Sequence, residues 1–140
     1  MKPSLVVFLH SHRYDRLRQA MGMLLTASSM GWSCNLFLFY GALASYVNKT
    51  WDEVNVDAGG DAPDWAGVLQ MEFEADNHPS LYEMLEKARD ESGGVRVCAC
   101  TASCKSLALD TAAVRAMVDE VVGLPTMLQI AEDARHVVYI

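Results

Sequence analysis

Apolar residues fall along this chain in two patterns: short unbroken runs, and longer stretches at helical spacing. Leu5-Val6-Val7-Phe8-Leu9 is an unbroken run, as expected of a strand covered on both faces. A polar turn follows over residues 10–14, and Asp15 is placed to cap a helix. Leu17, Met21, Leu24 and Ser28 then recur at helical spacing, with Ala20 and Leu25 widening the stripe, until Gly31 ends it. Residues 34–40 form a second apolar strand, broken by Gly41, and residues 42–47 read as a short helix. Ser80 and Glu83 have capping-box spacing ahead of Leu81, Met84, Leu85 and Ala88, the apolar face of a helix closed by Gly93-Gly94. Residues 95–99 are a third strand.

The pattern then predicts a helix from about Thr101 to Leu109. Another starts near Asp110 or Thr111, with Val114, Met117, Val118 and Val121 in helical register up to Gly123. Pro125 can open a last short helix, and residues 136–140 close the chain as a strand. Apolar strands alternating with amphipathic helices predict a single α/β domain over residues 1–140, a mostly parallel sheet with helices on both faces. Ligands in such folds bind beyond the carboxyl ends of the strands. Two turns qualify, one starting at His10 and one at Cys100, and in an open sheet they could lie side by side.

Residues 49–78 break the pattern. They carry eight of the eighteen acidic residues, one lysine, Gly59-Gly60, Pro63 and the tryptophans Trp51 and Trp65. The expectation is an acidic loop insertion, with at most a helical turn near Trp65. Loops of this length in compact domains are usually functional or partly disordered. The formal net charge of −7, with only Arg13, Arg16 and Arg18 as a local basic group, argues against nucleic acid as a partner. No stretch approaches the ~18 apolar residues of a membrane span, and the apolar run after Met1 is too short for a secretory signal. The chain therefore reads as cytoplasmic, where clustered cysteines are more often reactive or metal-binding than structural.

Three of the four cysteines lie in Val95-Arg96-Val97-Cys98-Ala99-Cys100-Thr101-Ala102-Ser103-Cys104. Cys100 stands at a strand end just before a helix start, where free backbone N–H groups can favour a thiolate or persulfide anion. It is the candidate nucleophile; the alternative is a buried, inert thiol. Cys98 shares a strand face with Cys100 and reads as core, with an auxiliary role as the alternative. Cys104, four residues on, is a candidate second thiol, although that spacing is too wide for an unstrained disulfide. Cys34 begins a strand and reads as core. C-x-C-x3-C lacks the C-x2-C spacing of common zinc sites, so no metal or other cofactor is expected. His10, His12 and Thr101 are candidate substrate-binding groups, able to lower a thiol pKa or hold an anion; an ordinary polar turn is the alternative.

Three stretches make the sequence resemble the DsrE/DsrF/DsrH-like family of small sulfur-relay proteins. They are residues 5–15 with the Ala/Met-rich helix ending at Met30-Gly31, residues 34–41, and Val95-Arg96-Val97-Cys98-Ala99-Cys100 with the helix after it. The closing segment from Val122-Gly123-Leu124 to Val137-Val138-Tyr139-Ile140 also fits. The resemblance implies a flavodoxin-like three-layer α/β sandwich, assembled as a homotrimer or hexamer. It implies that Cys100 carries sulfane sulfur as a persulfide or thiosulfonate and passes it to TusA-like or rhodanese-like proteins. The acidic insertion and the extra thiols Cys98 and Cys104 depart from the simplest family pattern. Two other readings remain: a thiol-disulfide redox protein using Cys98, Cys100 and Cys104, and a non-catalytic oligomeric binding module. A flavin or nucleotide binder is disfavoured, because no phosphate-binding glycine motif follows the first strand.

Overall fold

The computed structural model describes residues 3–53, 68–69, 71–72 and 74–140. Five strands form one parallel sheet: β1 (Ser4–Leu9), β2 (Ser33–Leu38), β3 (Val95–Cys100), β4 (Glu120–Val122) and β5 (His136–Tyr139), in the order β4-β3-β2-β1-β5. The helices are α1 (Tyr14–Ser29), α2 (Tyr40–Val47), α3 (Leu81–Asp90), α4 (Thr101–Ser106), α5 (Thr111–Arg115) and α6 (Leu124–Glu132). This is the α/β sandwich of flavodoxin-like type, and every strand pair in it is parallel.

The strand order dictates how the helices divide. From β1 to β4 the chain steps across the sheet in one direction, and parallel crossovers are right-handed, so their helices fall on one face. The step from β4 to β5 runs the other way and drops α6 alone on the opposite face. The two core clusters follow this division. One joins Leu5, Val7, Leu9, Leu36, Leu38, Val97 and Ala99 to residues of α1, α2, α3 and α5. The other joins Val6, Phe8, Phe37, Phe39, Cys98, Cys100 and Val122 to Met127 of α6. Alternate residues of each strand face opposite layers, as the pleat requires.

Several caps match the sequence. Ser80 Oγ accepts from the Glu83 N–H (3.1 Å), Asp110 Oδ2 accepts from the Ala113 N–H (3.3 Å), and Pro125 lies in the first turn of α6. Three expectations are corrected. Arg13, not Asp15, is the N-cap of α1; Asp15 sits in the first turn and pairs with Arg13 at 3.2 Å. Gly41 does not break a strand but lies in the first turn of α2, which begins at Tyr40. The helix drawn to Gly123 stops at Arg115, and Val121 belongs to β4. The reason is Asp119, whose Oδ2 accepts from the Val97 N–H (2.7 Å) while its own N–H donates to the Val97 carbonyl (2.8 Å). That exchange turns the chain into a strand beside β3.

The start of the acidic segment is anchored. Trp51 is buried, its indole N–H donates to the Ala42 carbonyl at 3.0 Å, and its ring lies 4.7 Å from that of Tyr46 and 5.5 Å from that of Tyr82. Asp52 Oδ1 accepts from the Leu81 N–H at 2.9 Å, tying this turn to α3. Helical backbone also occurs at residues 68–69, 71–72 and 74–75. Residues 54–67, which include Trp65, lie outside the described residues.

Two glycines test the packing in opposite directions. A Cβ on Gly93 would stand 2.0 Å from the Trp32 carbonyl oxygen, against backbone that cannot move aside, whereas one on Gly22, within α1, would meet nothing within 4 Å. Gly93→Ala is expected to lower unfolding free energy by about 3 kcal/mol. Gly22→Ala is expected to raise it by about 0.8 kcal/mol. Urea denaturation of the two variants checks both signs.

Candidate functional site

At the carboxyl edge of the sheet, Cys100 is both the last residue of β3 and the residue immediately before α4. It pairs in register with Val122 and is only 2 % exposed, inside the α6-side cluster. Its side chain makes no capping hydrogen bond to α4. The thiol thus rests under an apolar cover, between Val122 of β4 and the end of β2.

The other thiols have separate surroundings. Cys98 lies on the same face, fully buried, opposite Phe37 and Glu120 in the register. Burial pushes its thiol up; the Arg96 charge works against that shift and the Asp119 charge adds to it. Cys104, in α4, is half-buried and packs against the core cluster on the other face of the sheet. Burial also raises its pKa, as does negative charge on Cys100, while a backbone hydrogen bond lowers it. Cys34 is buried, donates to the Trp32 carbonyl at 3.5 Å, and is pushed up to about 11 by burial. All four cysteines are free thiols.

The two turns do reach the same sheet edge, but β2 separates them. His10 follows β1, its N–H donating to the Ile140 carbonyl (2.9 Å) and its carbonyl accepting from the Ala42 N–H (3.1 Å). His12 packs against α2: its Nδ1 stands 2.8 Å from where a Cβ on Gly41 would be, so a side chain there would have to displace the imidazole. Neither histidine hydrogen-bonds a cysteine among the described residues. The junction of β2 and α2, Phe39-Tyr40-Gly41, lies between the histidine turn and Cys100. Thr101 is exposed at the start of α4 and lines a surface notch with Cys104.

Two residues at this edge were not singled out from the sequence. Tyr40 takes a left-handed conformation (φ 38°) between the two turns, with its side chain exposed. A bulky residue rarely adopts that backbone, and such strain clusters at functional sites. Ser103 is completely buried one turn after Cys100, and its Oγ has no hydrogen-bond partner among the described residues. Buried hydroxyls are normally satisfied, so this one holds an unused donor and acceptor near the candidate nucleophile. Its position three residues after a strand-end cysteine was the only signal available in the sequence.

A five-stranded parallel sheet with a cysteine at the carboxyl end of its penultimate strand in spatial order is the framework of a small thiol-bearing α/β protein. The chain matches the model of the DsrE/DsrF-like family over residues 3–140 and belongs to that family, which is associated with sulfur relay. Among solved structures, the conserved protein of unknown function BT1422 from Bacteroides thetaiotaomicron superposes with a TM-score of 0.61. The match covers 98 % of this chain and 94 % of that one at 12 % identity, a likeness of fold. No curated protein matches the chain. Among the described residues, no helix is long and apolar enough to cross a membrane.

The raised Cys34 pKa sets a pH dependence. The unfolded thiol loses its proton near its ordinary value of 9.0, while the folded one holds it until about 11. The unfolded state therefore binds fewer protons in that window, and stability must fall as pH rises through it. Chemical denaturation is expected to show this contribution flat below pH 9 and lost by about pH 11. Cys34→Ala should flatten the slope; an unchanged slope would place the titration on other groups.

Proposed function

We propose that this protein is a cytoplasmic sulfur carrier of sulfurtransferase type, holding sulfane sulfur on Cys100 and passing it to a thiol of a partner protein. The observation that carries this reading is the placing of Cys100. It is the thiol that ends a parallel strand at the edge where such folds bind ligands, and the unpartnered Ser103 hydroxyl lies one turn away.

The transfer is two thiol exchanges. Deprotonated Cys100 attacks the outer sulfur of a donor persulfide; the donor S–S bond breaks and the donor leaves as a thiolate. An acceptor thiolate then attacks the outer sulfur of the Cys100 persulfide, and Cys100 leaves as a thiolate. Two electrons stay with each departing sulfur, so the cycle has no net oxidation. The Ser103 hydroxyl donates to the added sulfur, and Thr101 follows Cys100 directly at the start of α4. His10 and His12, beyond the end of β2, meet the outer part of the donor.

Cys100 is buried, so exchange requires opening. The cover is α6, which buries only Met127 completely and leaves Leu124 and Leu128 exposed. A nine-residue helix held by one fully buried side chain is the element most easily displaced from this face. Gly123, at its N-cap, is the point about which it swings. TusA-like or rhodanese-like carriers and small sulfur anions are the exchange partners in this reading. The exposed apolar side chains of α6 and Tyr139 supply surface for a homotrimer or hexamer.

Intact mass spectrometry after incubation with polysulfide tests the reading. A gain of one sulfur atom, reversed by reductant and absent in Cys100→Ser, is expected. The same gain in Cys100→Ser, or a loss of two hydrogens without added sulfur, would contradict it. Ser103→Ala is expected to fold with equal or greater stability, because it removes an unsatisfied buried hydroxyl. Its Cys100 persulfide should decay roughly fivefold faster, the worth of one hydrogen bond.

A further inference from the structure

A concavity opens between α4, α5 and β4. It encloses about 390 Å³ and is lined by Thr101, Cys104, Lys105, Thr111 and Arg115 over an apolar floor that includes Val114. That volume lies in the range of small-molecule sites. The chain carries a net charge of −7, yet two of the lining residues are cationic and no Asp or Glu is among them in the described residues. The nearby acid, Asp110, is turned to the Ala113 N–H at the start of α5. Neither Lys105 nor Arg115 is in an ion pair among the described residues. The notch is therefore a local reversal of the protein's charge, and the one thiol it presents is the least buried of the four.

We propose that the α4–α5 notch binds small anions bearing a thiol or sulfane sulfur, such as thiosulfate or an anionic low-molecular-weight thiol. Lys105 and Arg115 hold the negative charge at the rim, the Thr101 and Thr111 hydroxyls donate to it, and the sulfur lies against Cys104. The choice of a sulfur-bearing ligand rests on the sulfur-carrier reading; the preference for anions rests only on the residues of the notch.

The test compares two thiol reagents on the full chain, with adducts mapped to Cys104 by peptide mass spectrometry. One is dithiobis-nitrobenzoate, a dianionic aryl disulfide; the other is a neutral dipyridyl disulfide. The ratio of the anionic to the neutral rate at Cys104 is expected to fall roughly tenfold in the Lys105→Gln/Arg115→Gln double variant. Both substitutions are at exposed positions. Thiosulfate at millimolar concentration should slow neutral labelling of Cys104 in the parent and not in the double variant. Both results should persist in Cys100→Ser, which separates this site from the Cys100 mechanism. An equal rate ratio in parent and double variant, or thiosulfate protection indifferent to the two cations, would overturn the proposal.

Discussion

The carboxylate of Asp119 fixes the geometry on which the rest depends. One oxygen accepts from the Val97 N–H at 2.7 Å, and the other pairs with Arg89 of α3 at 2.6 Å. The Asp119 N–H returns to the Val97 carbonyl at 2.8 Å. One side chain thus holds the backbone of β3, the start of β4 and the helix that leads into β3. Charge-assisted bonds of this kind are roughly twice as strong as neutral ones. They set the register in which Cys98 faces Glu120 and Cys100 faces Val122. The Arg96–Glu120 pair continues the ladder on the solvent side. With β4 held at this edge, Cys100 sits within the sheet rather than at its margin, buried on a face with a single helix.

That single helix follows from chirality. Four strands laid down in one direction, with right-handed crossovers, put α1 to α5 on one side and leave α6 to cover the other. The crowded side is densely packed and hydrogen-bonded. Tyr46, Trp51 and Tyr82 stack within 5.7 Å of one another, and their polar atoms bond to backbone, including Tyr46 to the Met117 carbonyl at 3.0 Å. The sparse side carries an aromatic row, with the Phe8 ring 5.8 Å from Phe39 and 4.9 Å from Tyr139. This row leads from the β5 edge toward Cys100. Stability is concentrated on one face, and the thiol with the proposed chemistry lies on the other. Elements that must move are drawn from the less stable part of a fold.

Much of this was legible in the sequence, for identifiable reasons. β1 is apolar on both faces and appears as an unbroken run, and β2 and β3 are mostly apolar, interrupted only near their starts by Asn35 and Arg96. The helix ends carry Ser80, Asp110, Gly31 and Pro125, whose chemistry is local. The shared face of Cys98 and Cys100 follows from the two-residue period of a strand. β4 escaped notice because it is three residues long and its apolar neighbours Val114, Met117, Val118 and Val121 also fit a helical spacing. Only the tertiary bonds of Asp119 decide between the two. The same limit hid Ser103 and the anchoring of Trp51, because both depend on what the chain folds against. The separation of His10 and His12 from Cys100 depends on strand order, which periodicity does not encode.

The central claim is that a buried Cys100 becomes reactive when α6 leaves the sheet, and one comparison tests it directly. Labelling of Cys100 by a neutral thiol reagent, and hydrogen exchange of the α6 amides, would be measured in native buffer across low urea concentrations. The account predicts one shared opening free energy for both, well below that of the β1 and β2 amides and only weakly dependent on urea. If Cys100 is labelled only with the free energy and urea dependence of global unfolding, the thiol is a core residue and the mechanism is contradicted.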